Sequence, residues 1–229
     1  MFPGRCYGIS REGIEMKSGL NRRERLELVL FTIRSDIADL ALRLVGPRVR
    51  RETAVAVSET PSLIVDICTG TGSVLLEYAR RFPSSHIVTV DRDPRALAIV
   101  QRRLAESGFV NLETAAGEAD DLPFADGTVD VVNISFGLHE NEKHSRGSIL
   151  SECFRVLRTG GRLVVTDYRE ARGIVGPALM RLYLALFEPR WVPEIFSGGL
   201  EREIEAAGFE VETVRLDLPL TRMVVALKR

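Results

Sequence analysis

The chain has 229 residues, 45% hydrophobic and 28% charged, with a net charge of −1. That is enough chain for one sizeable core, and the composition is that of an ordinary globular protein. The balance of charge excludes the strong electrostatic grip on nucleic acid that needs clustered Lys and Arg in excess.

The three cysteines, Cys6, Cys68 and Cys153, have no metal-ligand spacing, and their odd number argues against a disulfide framework. No metal is expected, and a reducing cytoplasm fits best. Met1-Phe2-Pro3-Gly4-Arg5 lacks the apolar run of a signal peptide, and no stretch reaches the ~18 apolar residues of a membrane span. The expectation is a cytoplasmic chain with no integral membrane segment.

In chain order, an N-terminal extension over 1–60 comes first. Leu26, Leu30, Ile33, Ile37, Leu40 and Leu44 recur at steps of four and three, one stripe of an amphipathic helix from Asn21 to Val45. That stripe fits best a helix packed on its own domain; the alternative is a homodimer seam or an active-site cover. Gly46-Pro47 ends the helix. Arg48, Arg50 and Arg51 read as a solvated linker.

From Ser62 strands and helices alternate. Leu63–Ile67 is a buried strand, followed by the turn Cys68-Thr69-Gly70-Thr71-Gly72 and a helix over Ser73–Arg81. A second strand, Ile87–Val90, ends in Asp91, and Asp93-Pro94 starts a helix that stops near Gly108. Leu112–Ala115 reads as a short strand. Val129–Ile134 reads as a central strand buried on both faces. A helix over Ser145–Leu157 leads through a turn at Gly160-Gly161 to a strand over Arg162–Thr166. Ile174–Phe187 is helical and apolar, and with Trp191–Phe196 forms a cover at about 173–199. A helix over Leu200–Ala207 and strands Phe209–Leu216 and Thr221–Leu227, joined by a short link and hence antiparallel, complete the chain. Residues 61–229 thus form one domain.

A strand, an acid at its end, a glycine-rich turn and a helix, then a second strand ending in an acid about 20 residues beyond the turn, describe a nucleoside site at the carboxyl edge of a parallel sheet. Gly70 and Gly72 let a ligand approach the backbone. Asp91 is suited to a ribose diol. Taken alone, Asp66 reads as a cap on the turn and Glu118 as a surface acid.

The ordered motifs resemble those of class I S-adenosylmethionine-dependent methyltransferases. Asp66-Ile67-Cys68-Thr69-Gly70-Thr71-Gly72 is similar to the first motif, Val90-Asp91 to the ribose-binding acid and Gly117-Glu118-Ala119-Asp120-Asp121-Leu122-Pro123-Phe124 to the adenine segment. Val129-Asp130-Val131-Val132-Asn133 is similar to the fourth strand, and Leu157-Arg158-Thr159-Gly160-Gly161-Arg162-Leu163 to the turn before the fifth. The resemblance implies an α/β, Rossmann-like doubly wound seven-stranded sheet, mostly parallel with a C-terminal antiparallel hairpin. It implies S-adenosylmethionine as cofactor, S-adenosylhomocysteine as product, and cofactor contacts from Asp66, Cys68, Thr69, Gly70, Gly72, Asp91, Arg92, Glu118, Ala119, Asn133 and Ser135.

Asn133-Ile134-Ser135-Phe136-Gly137-Leu138-His139-Glu140 is similar to the acceptor-side loop of the UbiE-type quinone C-methyltransferases (methyltransferase type 11), which usually carry Arg-Asn where this chain has His139-Glu140. The departure argues against a quinone acceptor. His139 becomes the candidate base or acceptor-orienting group; the alternative is a helix-start histidine with no catalytic role. The expected acceptor is a small apolar or aromatic molecule. The other functional readings are an NAD-dependent oxidoreductase, against which the turn lacks a third glycine, and a catalytically silent adenosyl-ligand-binding protein.

Overall fold

The computed structural model describes residues 48–57, 60–170, 190–196, 198–216 and 221–229. The amphipathic helix expected over 21–45, the apolar segment 174–187 and the link at 217–219 lie outside the described residues. Among the described residues no helix is long and apolar enough to cross a membrane.

A helix over 48–55 (α1) opens the compact unit Arg48–Arg229. There follow β1 (Leu63–Ile67), α2 (Ser73–Arg81), β2 (His86–Asp91), α3 (Pro94–Ser107), β3 (Leu112–Ala116) and β4 (Val129–Ser135). The chain continues through α4 (Lys143–Val156), β5 (Leu157–Tyr168), α5 (Gly199–Ala206), β6 (Glu210–Arg215) and β7 (Thr221–Leu227). Short 3-10 turns lie at Leu138–Glu140 and Val192–Ile195.

The strands form one seven-stranded sheet in the order β3-β2-β1-β4-β5-β7-β6. β1 to β5 pair in parallel, and β7 runs antiparallel between β5 and β6. The winding reverses between β1 and β4, which opens a crevice at their carboxyl ends. The central strands are buried on both faces, as their largely apolar runs demand. β3, at one edge, has only partly buried and exposed residues.

Local chemistry sets the ends of the elements. Asp93 caps α3 by accepting from the Arg95 N–H at 2.8 Å, Pro94 occupies the first turn, and Gly108 ends the helix at φ 73°. Asp130 stitches β4 to the start of β1. It accepts from the Ser62 and Leu63 N–H groups at 2.9 Å and from Arg158 Nε at 2.5 Å.

Two expectations are corrected. Residues 48–55 are helical rather than a solvated linker. Val49, Thr53, Ala54 and Val57 are buried at helical spacing, while Arg48 and Arg51 face outward. The fifth strand is also longer than Arg162–Thr166 and does not stop at Gly160-Gly161. Those residues form a bulge inside β5, where pairing with β4 jumps from Val129↔Leu157 to Val131↔Arg162. The bulged backbone is satisfied by Lys228, whose carbonyl accepts from the Gly160 N–H at 2.7 Å and whose N–H donates to the Gly161 carbonyl at 3.0 Å.

Candidate functional site

The crevice is built on Asp66 and Asn133, which are register partners on β1 and β4. Both are buried. Asn133 Nδ2 donates to Asp66 Oδ1 at 2.5 Å and Thr69 Oγ1 donates to Asp66 Oδ2 at 2.7 Å. Asn133 Nδ2 also donates to Ser135 Oγ at 3.2 Å, and Tyr78 of α2 donates its hydroxyl to Asn133 Oδ1 at 3.2 Å. Burial pushes the Asp66 carboxyl up to about 6. The Asn133 and Thr69 hydrogen bonds oppose that rise, and the negative charge of Asp91 adds to it.

Asp91 binds the glycine-rich turn to the next helix. Its Oδ2 accepts from the Gly70 N–H at 3.1 Å and its Oδ1 from the Asp93 N–H at 2.9 Å. Each carboxylate oxygen has a second lone pair for a hydroxyl. Gly70 and Gly72 sit at φ 53° and 70°. A Cβ at Gly72 would stand 2.9 Å from Val100 Cγ2, so this glycine lets the turn close onto α3. A Cβ at Gly70 would meet no atom within 4 Å, so the turn has an open side there.

Beyond β3, Gly117 donates its N–H to the Asp91 carbonyl at 3.2 Å, which places Glu118 and Ala119 beside the second strand's end. Arg92 and Glu118 are exposed and face each other at 4.0 Å. The turn, Asp66, Asp91, Asn133 and Ser135 thus lie together, with Arg92, Glu118 and Ala119 at the outer rim.

Two residues with positive φ shape the other side. Cys68, after β1, lies at φ 55° and Phe136, after β4, at φ 57°. A bulky residue held there stores strain, typically 1–3 kcal/mol in order of magnitude. The Phe136 N–H is held by the Thr166 carbonyl at 2.8 Å. The two loops cross so closely that a Cβ on Gly137 would stand 2.5 Å from Cys68 Cβ.

His139 follows in the 3-10 turn and is buried. Its Nδ1–H donates to Asp167 Oδ1 at 2.7 Å, and its backbone N–H donates to Asp167 Oδ2 at 3.1 Å. Asp167 is wholly buried near the end of β5, and its Oδ1 also accepts from the Tyr168 N–H at 2.8 Å. A carboxylate at Nδ1 selects the tautomer whose lone pair is on Nε2. The His139 ring packs 4.7 Å from Tyr168, which in turn lies 5.4 Å from Phe136. Trp191 Nε1 donates to the His139 carbonyl at 3.0 Å. Outside Trp191 a cleft of about 410 Å³ is lined by Glu142, Lys143, His144, Arg190 and Glu194. This lining is mostly charged; most of the apolar cover expected at about 173–199 lies outside the described residues.

Sequence reasoning missed Asp167. The available signal was its place at the carboxyl end of a parallel strand, the place also held by Asp66 and Asp91. Among the described residues no cluster of His, Cys, Asp or Glu is arranged to hold a metal ion.

Residues 64–161 match the family described as methyltransferase domain. A demethylmenaquinone methyltransferase of Thermus thermophilus is 37% identical over 119 residues, covering 52% of this chain and 53% of that protein. A ubiquinone/menaquinone biosynthesis C-methyltransferase UbiE of Geobacter sulfurreducens is 36% identical over 160 residues, covering 68% and 58%. The chain spans about half the length of the curated relatives it matches. Among solved structures, the [4+2]-cyclase SpnF superposes with a TM-score of 0.65 at 18% identity, covering 79% of this chain and 80% of that one. At that identity the likeness shows the fold alone.

Proposed function

We propose that this chain is a class I methyltransferase of UbiE type, supported by its methyltransferase-domain match and its relatives, and that it transfers a methyl group from S-adenosylmethionine to a small acceptor by direct displacement. The observation that carries this reading is the Asp66–Gly70–Asp91 arrangement. It combines an acid for an ammonium, an open-sided glycine turn and an acid for a ribose diol. Glu118 and the Ala119 N–H suit an adenine edge. These donors and acceptors fit the tail, ribose and base of that cofactor.

Held by Asp66, Gly70, Asp91 and Glu118, S-adenosylmethionine would supply an electrophilic methyl group on a sulfonium, with the neutral thioether as leaving group. The chain's own contribution is orientation, worth several kcal/mol in order of magnitude, and proton removal. His139 Nε2 takes the acceptor's proton, and Asp167 holds the tautomer and stabilises the imidazolium. That pairing suits an acceptor with a weakly acidic hydroxyl on an apolar or aromatic frame, which the Phe136 and Tyr168 rings favour. The relatives named as a demethylmenaquinone methyltransferase and a ubiquinone/menaquinone biosynthesis C-methyltransferase support a planar, ring-bearing acceptor.

Thermal unfolding with S-adenosylhomocysteine tests the reading. A site filled at 100 times its Kd adds about 2.7 kcal/mol, a midpoint rise of roughly 5–10 °C for a chain of this size. The rise is expected in the wild type and is largely lost in Asp91→Ala. A well-folded wild type that shows no rise at saturating ligand overturns the proposal.

A further inference from the structure

Arg146 lies in the first half of α4, and its side chain is completely buried. Its Nε and Nη2 fork onto Glu203 of α5 at 2.7 and 2.8 Å. Nη2 also donates to Glu194 Oε2 at 2.9 Å, and Nη1 donates to the Asn141 carbonyl at 2.8 Å. A buried ion pair rarely adds stability over an apolar pair of the same volume. What the guanidinium adds is direction, because its donors are fixed in one plane.

The two directions that matter converge on His139. Asn141 closes the turn that carries His139: its N–H donates to the Leu138 carbonyl at 3.0 Å and its Nδ2 to the Gly137 carbonyl at 2.8 Å. Glu194 belongs to the 3-10 turn that follows Trp191, and its N–H donates to the Trp191 carbonyl at 2.9 Å. Trp191 in turn donates its indole N–H to the His139 carbonyl. One guanidinium therefore grips His139 from both flanks, through Asn141 on its own turn and through Glu194 and Trp191 on the segment above it.

We infer that Arg146 is a positioning residue, which locks the His139 turn so that the ring stays in line with Asp167. Its importance for catalysis rests on the methyl-transfer reading above. Neither Arg146 nor its partners touch Asp66, Gly70 or Asp91 through any hydrogen bond described above, so cofactor binding and His139 positioning are separable.

Two variants test this. Arg146→Lys keeps the charge but loses the fork. The double variant Arg146→Met with Glu203→Met removes both members of the buried pair and leaves only the half-exposed, solvated Glu194 without its partner. The His139 Nδ1–H proton, held by a buried carboxylate, is followed by NMR exchange. Trp191 is the only tryptophan in the chain, so its emission reports the other flank. In both variants the Nδ1–H exchange accelerates by about tenfold or more and Trp191 emission moves to the red. Affinity for S-adenosylhomocysteine stays within about twofold of wild type, as for independent sites. Wild-type exchange and emission in either folded variant, or failure of both to fold, assigns Arg146 to stability alone and overturns the inference. If the wild type itself binds no S-adenosylhomocysteine, the methyl-transfer reading falls, while the exchange and emission readouts still judge the positioning role.

Discussion

His139 and Asp167 are 28 residues apart in the chain and share a buried hydrogen bond of 2.7 Å, reinforced by a second from the His139 backbone N–H to the same carboxylate. The carboxylate thus sets both the ring's tautomer and the placement of the turn beneath it. Asp167→Asn keeps the shape but offers a neutral amide that can settle the opposite tautomer. Turnover with a hydroxyl-bearing acceptor is expected to fall by about 10²-fold or more, the usual worth of a general base. Calorimetric affinity for S-adenosylhomocysteine is expected to be unchanged. Initial rates of methyl transfer beside that affinity check the prediction.

On the proposed function, Asp66 is expected to make cofactor affinity depend on pH. Its pKa is pushed up to about 6, chiefly by burial, so it is ionised above that pH and neutral below it. An ammonium is attracted only by the ionised form, so affinity for S-adenosylhomocysteine weakens as pH falls through 6, by up to about tenfold per unit. The effect on folding has the opposite sign. A carboxyl whose folded pKa is raised favours the fold below its ordinary value of about 3.9, and that contribution is lost as pH rises through 6. Calorimetry from pH 5 to 8 checks the first statement. Asn133→Leu, which removes a hydrogen bond to the charged form, moves the midpoint higher.

The crossing of the two loops predicts a coupled pair. Gly137→Ala forces a Cβ to within 2.5 Å of Cys68 Cβ, and neither backbone can yield alone. The expected loss is about 1–3 kcal/mol, as for overpacking elsewhere. Cys68→Gly removes the opposing atom at a position whose φ of 55° suits glycine. The double variant should therefore recover about 1 kcal/mol or more of the loss. Denaturant melts of the four proteins in the cycle measure this coupling.

Asp130 provides a stability test away from the crevice. Burial works against its charge, but the Arg158 side chain and the Leu63 and Ser62 N–H groups outweigh it and hold its carboxyl below the usual range. Asp130→Ala is expected to cost about 2–3 kcal/mol at pH 7. The folded pKa is depressed, so this contribution is present above the ordinary aspartate value and is lost as pH falls through the folded pKa. Urea unfolding at pH 7 and again in acid, where the difference between wild type and variant shrinks, checks both the size and the sign.

The sequence by itself determined the elements whose signals are local. The run Leu63–Ile67 ending against a glycine turn, the Asp93-Pro94 helix start and the Gly108 stop are read from neighbouring residues, and the structure has them at those positions. Burial on one face or both shows as periodicity along a single strand or helix, so the order of strands and helices was legible. Other features depended on residues distant in the chain. Residues 48–55 read as a basic linker because their arginines are conspicuous, yet burial of Val49, Thr53 and Val57 makes them a helix. Gly160-Gly161 read as a turn because the Lys228 backbone that completes the bulge is 67 or more positions away. Nothing in the residues neighbouring Asp167 or Arg146 in the chain sets either apart from other polar residues. Only the tertiary structure decided that both are buried and that both act on His139. The physical reason is that a hydrogen bond's worth depends on the water excluded around it, and only packing of α4, α5, β5 and the Trp191 segment excludes it.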